Sequence, residues 1–225
     1  MEVALTPSPG SLTQLGRGDS SGGAGEFGRR FSVHGQPPFL PSYARSMTPP
    51  LPYKIACLCD LRDAHGRVLL LHRLKAPNKD LYSPIGGKLE MGTGESPAQC
   101  ARREIMEEAG IDIPIDRLHL TGLISEAAFE GSGHWLLFYY RVLGPVEVEA
   151  GPMDEGRLEW HDPETIDSLN LPDSDRLVIW PLVRRAEPER AEDLPGFFAV
   201  HIDCTGPEMV WTVEQEERPG RGSGG

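Results

Sequence analysis

Residues 86–111 read GGKLEMGTGESPAQCARREIMEEAGI, and this stretch decides the fold. Ser96 is a favourable N-cap residue, the proline after it suits the first helical position, and Gln99 would complete a capping box with Ser96. Gly110 can adopt the left-handed conformation in which many helices end. The stretch therefore predicts a helix over residues 97–109.

Three carboxylates would lie on one side of this helix. At about 100° per residue, Glu104, Glu107 and Glu108 fall within an arc of about 100°. Beside them lies an apolar face made of Ala98, Ala101, Ile105 and Ala109. Like charges so close together repel one another unless a cation binds them, and all-oxygen ligands suit Mg²⁺ or Mn²⁺ better than zinc. The alternative is a solvated acidic face in which Arg103 pairs with Glu107.

The stretch resembles the sequence box of the Nudix hydrolase family. That box reads Gly, five residues, Glu, seven residues, and then Arg-Glu-apolar-x-Glu-Glu-x-Gly-apolar. The matching positions in this chain are Gly87, Glu95, Arg103, Glu104, Ile105, Glu107, Glu108, Gly110 and Ile111. Seven residues rather than five separate Gly87 from Glu95, so the loop before the helix departs from the pattern.

The resemblance implies a metal-dependent hydrolase that cleaves the diphosphate linkage of a nucleoside diphosphate derivative. The favoured substrate is a nucleoside triphosphate, with an oxidised purine triphosphate as a candidate, which would yield the monophosphate and pyrophosphate. Nucleotide sugars, dinucleoside polyphosphates and NADH are alternative substrates. A module that senses a nucleotide without cleaving it is the alternative from another class.

The resemblance also implies roles for individual residues. Glu107 and Glu108 would be metal ligands, and Glu104 would bind metal or act as general base. Arg103 would orient Glu104 by hydrogen bonds. The backbone carbonyl of Gly87 would be a further metal ligand, with Mg²⁺ as the expected ion and Mn²⁺ as an alternative.

A narrower resemblance, to the MutT-type oxidised purine nucleoside triphosphatases of animals, concerns the substrate. Residues 154–160, DEGRLEW, are similar to a segment whose Glu reaches the metal site, which implies a further metal ligand at Glu155 rather than an exposed loop acid. Residues 171–175, LPDSD, resemble a Trp-Pro-Asp-Asp segment whose aspartates read the oxidised purine. The resemblance therefore implies base-reading roles for Asp173 and Asp175, although either aspartate could instead cap a helix.

Two more residues complete the predicted substrate site. Ser83 stands where the animal enzymes have an Asn that helps to bind the base. Lys88 would either face the phosphates or be a solvated surface lysine.

Composition limits the classes of partner. The chain has 225 residues and a net charge of −12, which argues against binding a nucleic acid polymer, because such binding needs a basic surface. An anionic substrate would need local neutralisation by a metal, Lys or Arg.

The four cysteines lack metal-site spacing and are expected to be reduced core residues. No apolar run predicts a membrane span and no secretory signal is evident, so we expect a cytoplasmic protein. The sequence leaves its oligomeric state open.

The chain order predicts an α/β fold. Residues 1–50, rich in Gly, Ser and Pro, are expected to be a disordered extension, 51–213 the Nudix hydrolase domain, and 214–225 a disordered tail. Strands are predicted over 53–61, 67–72, 118–128, 134–143, 156–160, 196–203 and 208–213. Further helices are predicted over 163–169, capped by Asp162, and over 173–185. A mixed sheet covered on both faces by helices, an α/β/α sandwich, follows from this order.

Overall fold

The computed structural model describes residues 52–75, 78–190 and 193–220. The predictions for residues 1–50 and for the last five residues lie outside this range. In the described part the strands are β1 (Tyr53–Asp60), β2 (Val68–Arg73), β3 (Tyr82–Pro84), β4 (Leu118–Phe129), β5 (Gly133–Val142), β6 (Pro152–Met153), β7 (Gly156–His161), β8 (Phe197–Asp203) and β9 (Val210–Glu217). The α-helices are α1 (Pro97–Ala109) and α2 (Trp180–Arg185), with 3₁₀ turns at Ile115–Arg117 and Pro163–Ser168 and a π-helical turn at Asp175–Ile179.

The strands form a mixed five-stranded sheet and a smaller antiparallel one. The first has the order β1-β5-β4-β8-β9, with β1 parallel to β5 and β4 parallel to β8. The second has the order β3-β2-β7-β6. Backbone bridges between Cys59 and Ile85 and between Ala56 and Lys88 connect β1 to the segment that follows β3. The α/β class and the mixed sheet are thus confirmed.

Two apolar cores lie on opposite faces of the strands. On β2, Val68 and Leu70 pack in the core that contains α2, whereas Leu69 and Leu71 pack in the core that contains α1. All four side chains are fully buried, as the continuous apolar run predicts for a strand covered on both faces. Each helix therefore packs on its own side of the β layer.

Helix α1 begins and ends where the sequence predicts. The Ser96 hydroxyl accepts from the Gln99 amide at 3.3 Å, and the Gln99 side-chain oxygen accepts from the Ser96 amide at 2.9 Å, which completes the capping box. Gly110 is left-handed, with φ of 70°. The packing face is confirmed, because Ala101 and Ile105 are fully buried against β1. Cys57, Cys59 and Cys100 are free thiols buried in the same core.

Residues 173–185 are helical as predicted, but the type of helix changes along the segment. Asp175–Ile179 forms the π-helical turn, and α2 follows with Pro181 in its first turn. A proline is tolerated there because it has no N–H to donate. The wider turn before Pro181 keeps the chain helical where a regular helix interior would be broken.

Two predicted boundaries are wrong. The Asp162 side chain makes no cap hydrogen bond. The Asp162 backbone carbonyl instead accepts hydrogen bonds from the Thr165 amide at 2.9 Å and the Thr165 hydroxyl at 2.8 Å, and the segment forms a 3₁₀ turn. Residues 214–217, assigned from sequence to the disordered tail, continue β9 and pair with the start of β8. Their polar side chains carry no apolar alternation, so only pairing with β8 reveals the strand.

Among the described residues, no helix is long and apolar enough to cross a membrane. The expected cytoplasmic location stays a prediction.

Candidate active site

A cavity of about 590 Å³ collects most of the predicted site residues. Its lining includes Ser83, Gly87, Lys88, Arg103, Glu104, Glu107, Glu108, Glu155 and Asp175. Helix α1 supplies one wall, the β3–α1 loop a second, and the loop before β7 brings in Glu155. Asp173 does not line the cavity. We refer to Glu104, Glu107, Glu108 and Glu155 as the carboxylate cluster.

Arg103 connects the loop to the carboxylate cluster. Its Nε and Nη2 donate to the two oxygens of Glu95 at 2.9 and 3.0 Å, and its Nη1 donates to Glu104 at 2.6 Å and Glu107 at 3.2 Å. These carboxylates, Glu95 first, raise the pKa of Arg103 above its usual range. Arg103 lowers the pKa of Glu95 in return. The Glu90 amide also donates to Glu95 at 2.8 Å, so the longer loop still delivers Glu95 to Arg103.

Glu104 lies pressed against the backbone of Gly87. It is about nine-tenths buried, and burial raises its pKa although Arg103 opposes the shift. A Cβ added at Gly87 would collide with the Glu104 carboxylate. The glycine at position 87 is therefore explained by close approach of a side chain rather than by a turn.

Glu108 lies deeper in the cavity than its neighbour Glu107. Gly86 donates its amide to Glu108 Oε2 at 2.9 Å, while Glu107 remains exposed. Burial raises the pKa of Glu108 to about 7, and the negative charges of Glu104 and Glu155 act in the same direction. This interaction shows that Glu155, from a distant loop, lies close enough to belong to the cluster.

The carbonyl of Gly87 faces β1 rather than the carboxylates. It accepts the Cys57 amide at 2.9 Å and the Cys100 thiol at 3.5 Å. Its neighbour Gly86 instead directs its amide at Glu108. The Gly86 amide therefore contacts the cluster at Glu108, whereas the Gly87 carbonyl is directed to β1 and Gly87 meets the cluster through its contact with Glu104. Both glycines line the cavity, and the sequence alone does not predict which of their backbone groups contacts the carboxylates.

The carboxylate cluster offers the oxygen ligands that a hard divalent cation prefers, although the side chains do not form a ready cage. Among the described residues, no three His, Cys, Asp or Glu side chains are placed to hold a metal ion. Arg103 engages Glu104 and Glu107, so a cation would compete with it for their oxygens. The side chains of Glu107 and Glu155 are 58% and 47% exposed and have room to turn. The donor set therefore fits Mg²⁺ or Mn²⁺.

Two further acids, Glu126 and Asp175, also line the cavity, and we call them the acid pair. Asp175 begins the π-helical turn, and burial, reinforced by the charge of Glu126, raises its pKa to about 8. Glu126 lies on β4, and its pKa is raised by burial despite a hydrogen bond from Ser174. The sequence reasoning missed Glu126. The signal was available, since Glu126 shares the buried alternation of Ile124 in this strand.

The other predicted substrate residues divide between the cavity and the surface. Ser83 is buried in the cavity wall, and Lys88 lies at its rim with Nζ 5.9 Å from the Trp135 ring centroid. Asp173 is exposed and forms an ion pair with Arg176, one turn further along the helix. The structure therefore brings Asp175, but not Asp173, to the cavity.

Comparisons with known proteins agree with this architecture. The family model of the NUDIX domain matches residues 52–185. A curated relative, the oxidized purine nucleoside triphosphate hydrolase of Danio rerio, is 35% identical over 103 residues, which are 45% of this chain and 62% of that protein. The Nudix hydrolase YvcI of Bacillus subtilis is 30% identical over 116 residues, which are 50% of this chain and 69% of that protein.

A solved structure shares the fold. The crystal structure of the MutT protein from Bacillus halodurans superposes with a TM-score of 0.55 at 24% identity, and covers 72% of this chain and 97% of that one. Because the NUDIX match spans more than half of the chain and includes the helix that carries the carboxylates, the chain belongs to the NUDIX domain family.

Proposed function

We propose that the protein is a Nudix pyrophosphohydrolase that cleaves a nucleoside triphosphate to the monophosphate and pyrophosphate, with an oxidised purine as the favoured base. The observation that carries this proposal is the combination of groups in one cavity. The carboxylate cluster lines part of it, and the buried polar residues Ser83 and Asp175, with the aromatic ring of Trp135, line another part. A nucleotide needs both kinds of surface, one for its phosphates and one for its base.

Glu107, Glu108 and Glu155 would hold the divalent cation, and Glu104 completes the set. Such a cation neutralises charge on the diphosphate oxygens and lowers the pKa of the attacking water. Oxygen-rich sites of this kind select Mg²⁺ or Mn²⁺ over softer metals.

The chain's own residues position the reacting groups. Arg103 holds Glu104 in one orientation through a 2.6 Å hydrogen bond, which suits a carboxylate that binds the cation or accepts a proton from water. Lys88 carries a positive charge at the cavity rim, where it can attract the phosphates. Because the net charge of the chain is −12, such local positive groups are needed to bring in an anionic substrate.

The zebrafish relative supports the choice of base, since it hydrolyses oxidised purine nucleoside triphosphates according to its name. The support is partial, because the match spans less than two thirds of that protein. Glu155 and Asp175 both line the cavity. This agrees with the metal-binding role that the sequence suggests for Glu155 and with the base-reading role that it suggests for Asp175.

A hydrolysis panel tests the proposal. Purified protein at millimolar Mg²⁺ is given oxidised and normal nucleoside triphosphates, nucleotide sugars, dinucleoside polyphosphates and NADH, with pyrophosphate and phosphate measured separately. We expect pyrophosphate mainly from an oxidised purine triphosphate, and none after EDTA. The Glu107→Gln variant should be inactive, while Glu149→Gln, an exposed surface change, should be fully active.

The other outcomes point to defined alternatives. Cleavage of a nucleotide sugar or dinucleotide would keep the hydrolase and reject the triphosphate substrate. Nucleotide binding without any cleavage would reject the hydrolase and support a nucleotide-sensing module.

A further inference from the structure

Strand β9 is an edge of the five-stranded sheet. It pairs with β8 on one side, and no other strand within residues 52–75, 78–190 and 193–220 pairs with it. All eight of its residues are exposed. In an antiparallel pair, only part of a strand's backbone N–H and C=O groups bond to the neighbour, and the rest point away from it. The outer side of β9 therefore presents a row of backbone groups with which a further strand can pair.

The first half of β9 carries apolar side chains at this edge. Trp211 and Val213 lie opposite Ile202 and Val200 of β8, which are buried in the core that contains α2. Because directly opposite residues share a face of the sheet, Trp211 and Val213 extend this core outward. Trp211 is nevertheless 48% exposed and Val213 37% exposed, and Val210 on the other face is 57% exposed. This end of the edge strand is therefore apolar on both faces.

The second half of β9 is acidic. Glu216 forms an ion pair with Arg185 of α2 at 2.8 Å, and Glu217 accepts a hydrogen bond from Gln215 at 2.6 Å. Neither Glu214 nor Glu217 forms an ion pair with a basic side chain in the described part of the chain. Charged residues on an edge strand oppose non-specific pairing, and they favour a partner of opposite charge.

A second copy of the same strand does not match this surface. In the two-fold antiparallel register that pairs all eight residues, Trp211 would lie opposite Glu216 and Val213 opposite Glu214. Each pair would place an apolar side chain against a carboxylate, and the acids of both copies would lie along one ribbon. The net charge of −12 adds repulsion between two copies. A segment that is basic in one half and aliphatic in the other matches both halves of β9.

We propose that the outer edge of β9 is a docking site for an extended basic segment of a partner protein, which binds as an additional antiparallel strand. Basic residues of the segment lie opposite Glu214, Glu216 and Glu217, and aliphatic residues lie opposite Val213 and Trp211. In this mode of recognition the main-chain hydrogen bonds supply affinity and the alternate side chains supply specificity. No residue of β9 lines the cavity of the candidate active site, so the inference is independent of the proposed function.

Fluorescence anisotropy of a labelled peptide, acetyl-Lys-Arg-Thr-Lys-Val-Thr-Val-Thr-amide, tests the proposal with the full chain. Antiparallel to β9, its three basic residues lie opposite the three glutamates, and its two valines lie opposite Val213 and Trp211. We expect it to bind about tenfold more tightly than the same peptide with Glu at the three basic positions, because three exposed attractions become repulsions. Added salt should reduce this difference.

Two variants separate the contributions of charge and apolar surface. Glu217→Lys should weaken binding of the basic peptide by about fivefold and strengthen binding of the acidic one. Trp211→Thr should weaken binding of both peptides by about tenfold, because it removes apolar contact area and keeps a residue that favours strands. Glu149→Lys is the matched control, since it makes the same charge change at an exposed residue outside β9, and it should leave the preference for the basic peptide unchanged.

Hydrogen exchange locates the bound peptide. The amides of β9 that point away from β8 should exchange about tenfold more slowly when the basic peptide is bound, and the amides of the other strands should be unaffected. Equal binding of the two peptides, an equal effect of Glu149→Lys and Glu217→Lys, or protection away from β9 would overturn the proposal. A dimer in sedimentation that Trp211→Thr dissociates would also overturn it, because a second copy would then occupy the edge.

Discussion

The carboxylate cluster and the acid pair share one cavity and one kind of side chain, yet their charges are managed differently. In the cluster, Arg103 binds Glu104 and Glu107 directly, so a fixed positive charge offsets the negative ones. In the acid pair, burial keeps the pKa of Glu126 and Asp175 high, so a retained proton reduces the charge. The first arrangement suits a site that gives its oxygens to a cation. The second suits a site that exchanges hydrogen bonds with a neutral base.

The largest effect is expected from Glu108→Gln, which tests the cluster. The change keeps the shape of the side chain but removes a charge that would bind a cation, so kcat/KM should fall by about 10²–10³ or more, as for other lost electrostatic groups in active sites. Steady-state hydrolysis measures this loss, and circular dichroism checks that the fold persists. Glu149→Gln is the control. An active Glu108→Gln enzyme would show that the cluster is only a solvated helix face.

Gly87→Ala should disturb the same cluster through sterics alone. The new Cβ would collide with the Glu104 carboxylate, which must then move away from its hydrogen bond with Arg103. We expect activity to fall by about 10- to 100-fold, the range seen when outer-shell contacts of a metal site are lost. Gly92→Ala is a matched control in the same loop, because its Cβ would meet open space. Equal activity of the two variants would contradict a role for Glu104 that depends on its position.

Arg103→Lys should have a smaller effect, of about tenfold on activity. A lysine keeps the charge but cannot make the paired contacts with both oxygens of Glu95 and the contact with Glu104 at once. Arg102→Lys is the comparison on the next residue, since Arg102 pairs with Asp112 at the exposed surface. Kinetic constants and thermal stability are measured for both. If Arg103→Lys matched Arg102→Lys in both measurements, the orienting role of Arg103 would be rejected.

The comparison also shows which parts of the site the sequence could predict. Helix α1 carries its caps, its apolar face and its acids within one stretch, so local rules are sufficient to place them. Glu155 required a family resemblance, because a loop acid has no local pattern that brings it to a helix. The acid pair combines one residue of β4 with one residue of the π-helical turn. These two segments are far apart in the sequence, so no rule of spacing predicts that both residues line the same cavity.

The differences between the sequence-based expectations and the structure have the same origin. Asp173 and Asp175 look equivalent in the sequence, but the helical turn directs Asp175 into the cavity and leaves Asp173 to pair with Arg176 at the surface. Gly86 and Gly87 are adjacent, and the pairing of the Gly87 carbonyl with Cys57 leaves the Gly86 amide as the backbone group that donates to Glu108. The end of β9 was missed because its polar residues pair only with β8. In each case a tertiary contact, and not the local pattern, chooses between neighbouring residues.

The last prediction concerns the acid pair and stability alone. The pKa of Asp175 is raised to about 8 in the folded protein, above its ordinary value near 4 in the unfolded chain. Between these values the folded state binds a proton that the unfolded state has released, so this residue's contribution to the free energy of unfolding is lost as pH rises from about 4 to 8. Asp175→Asn cannot lose that proton. Its stability relative to the wild type should therefore improve steadily across this window, by about 1.4 kcal/mol for each unit by which folding raises the pKa of Asp175.

Urea unfolding at pH 5, 7 and 9 measures this difference, with Asp167→Asn as the exposed control that should follow the wild type. Because Glu126 remains in the Asp175→Asn variant, only the Asp175 contribution should disappear. A variant curve parallel to that of the wild type would mean that Asp175 is ionised at neutral pH, so that the retained proton, which distinguishes the acid pair from the carboxylate cluster, does not exist. If the free energy of unfolding of Asp175→Asn instead rises relative to that of the wild type as the pH rises, then Asp175 retains its proton in the folded protein without a bound base.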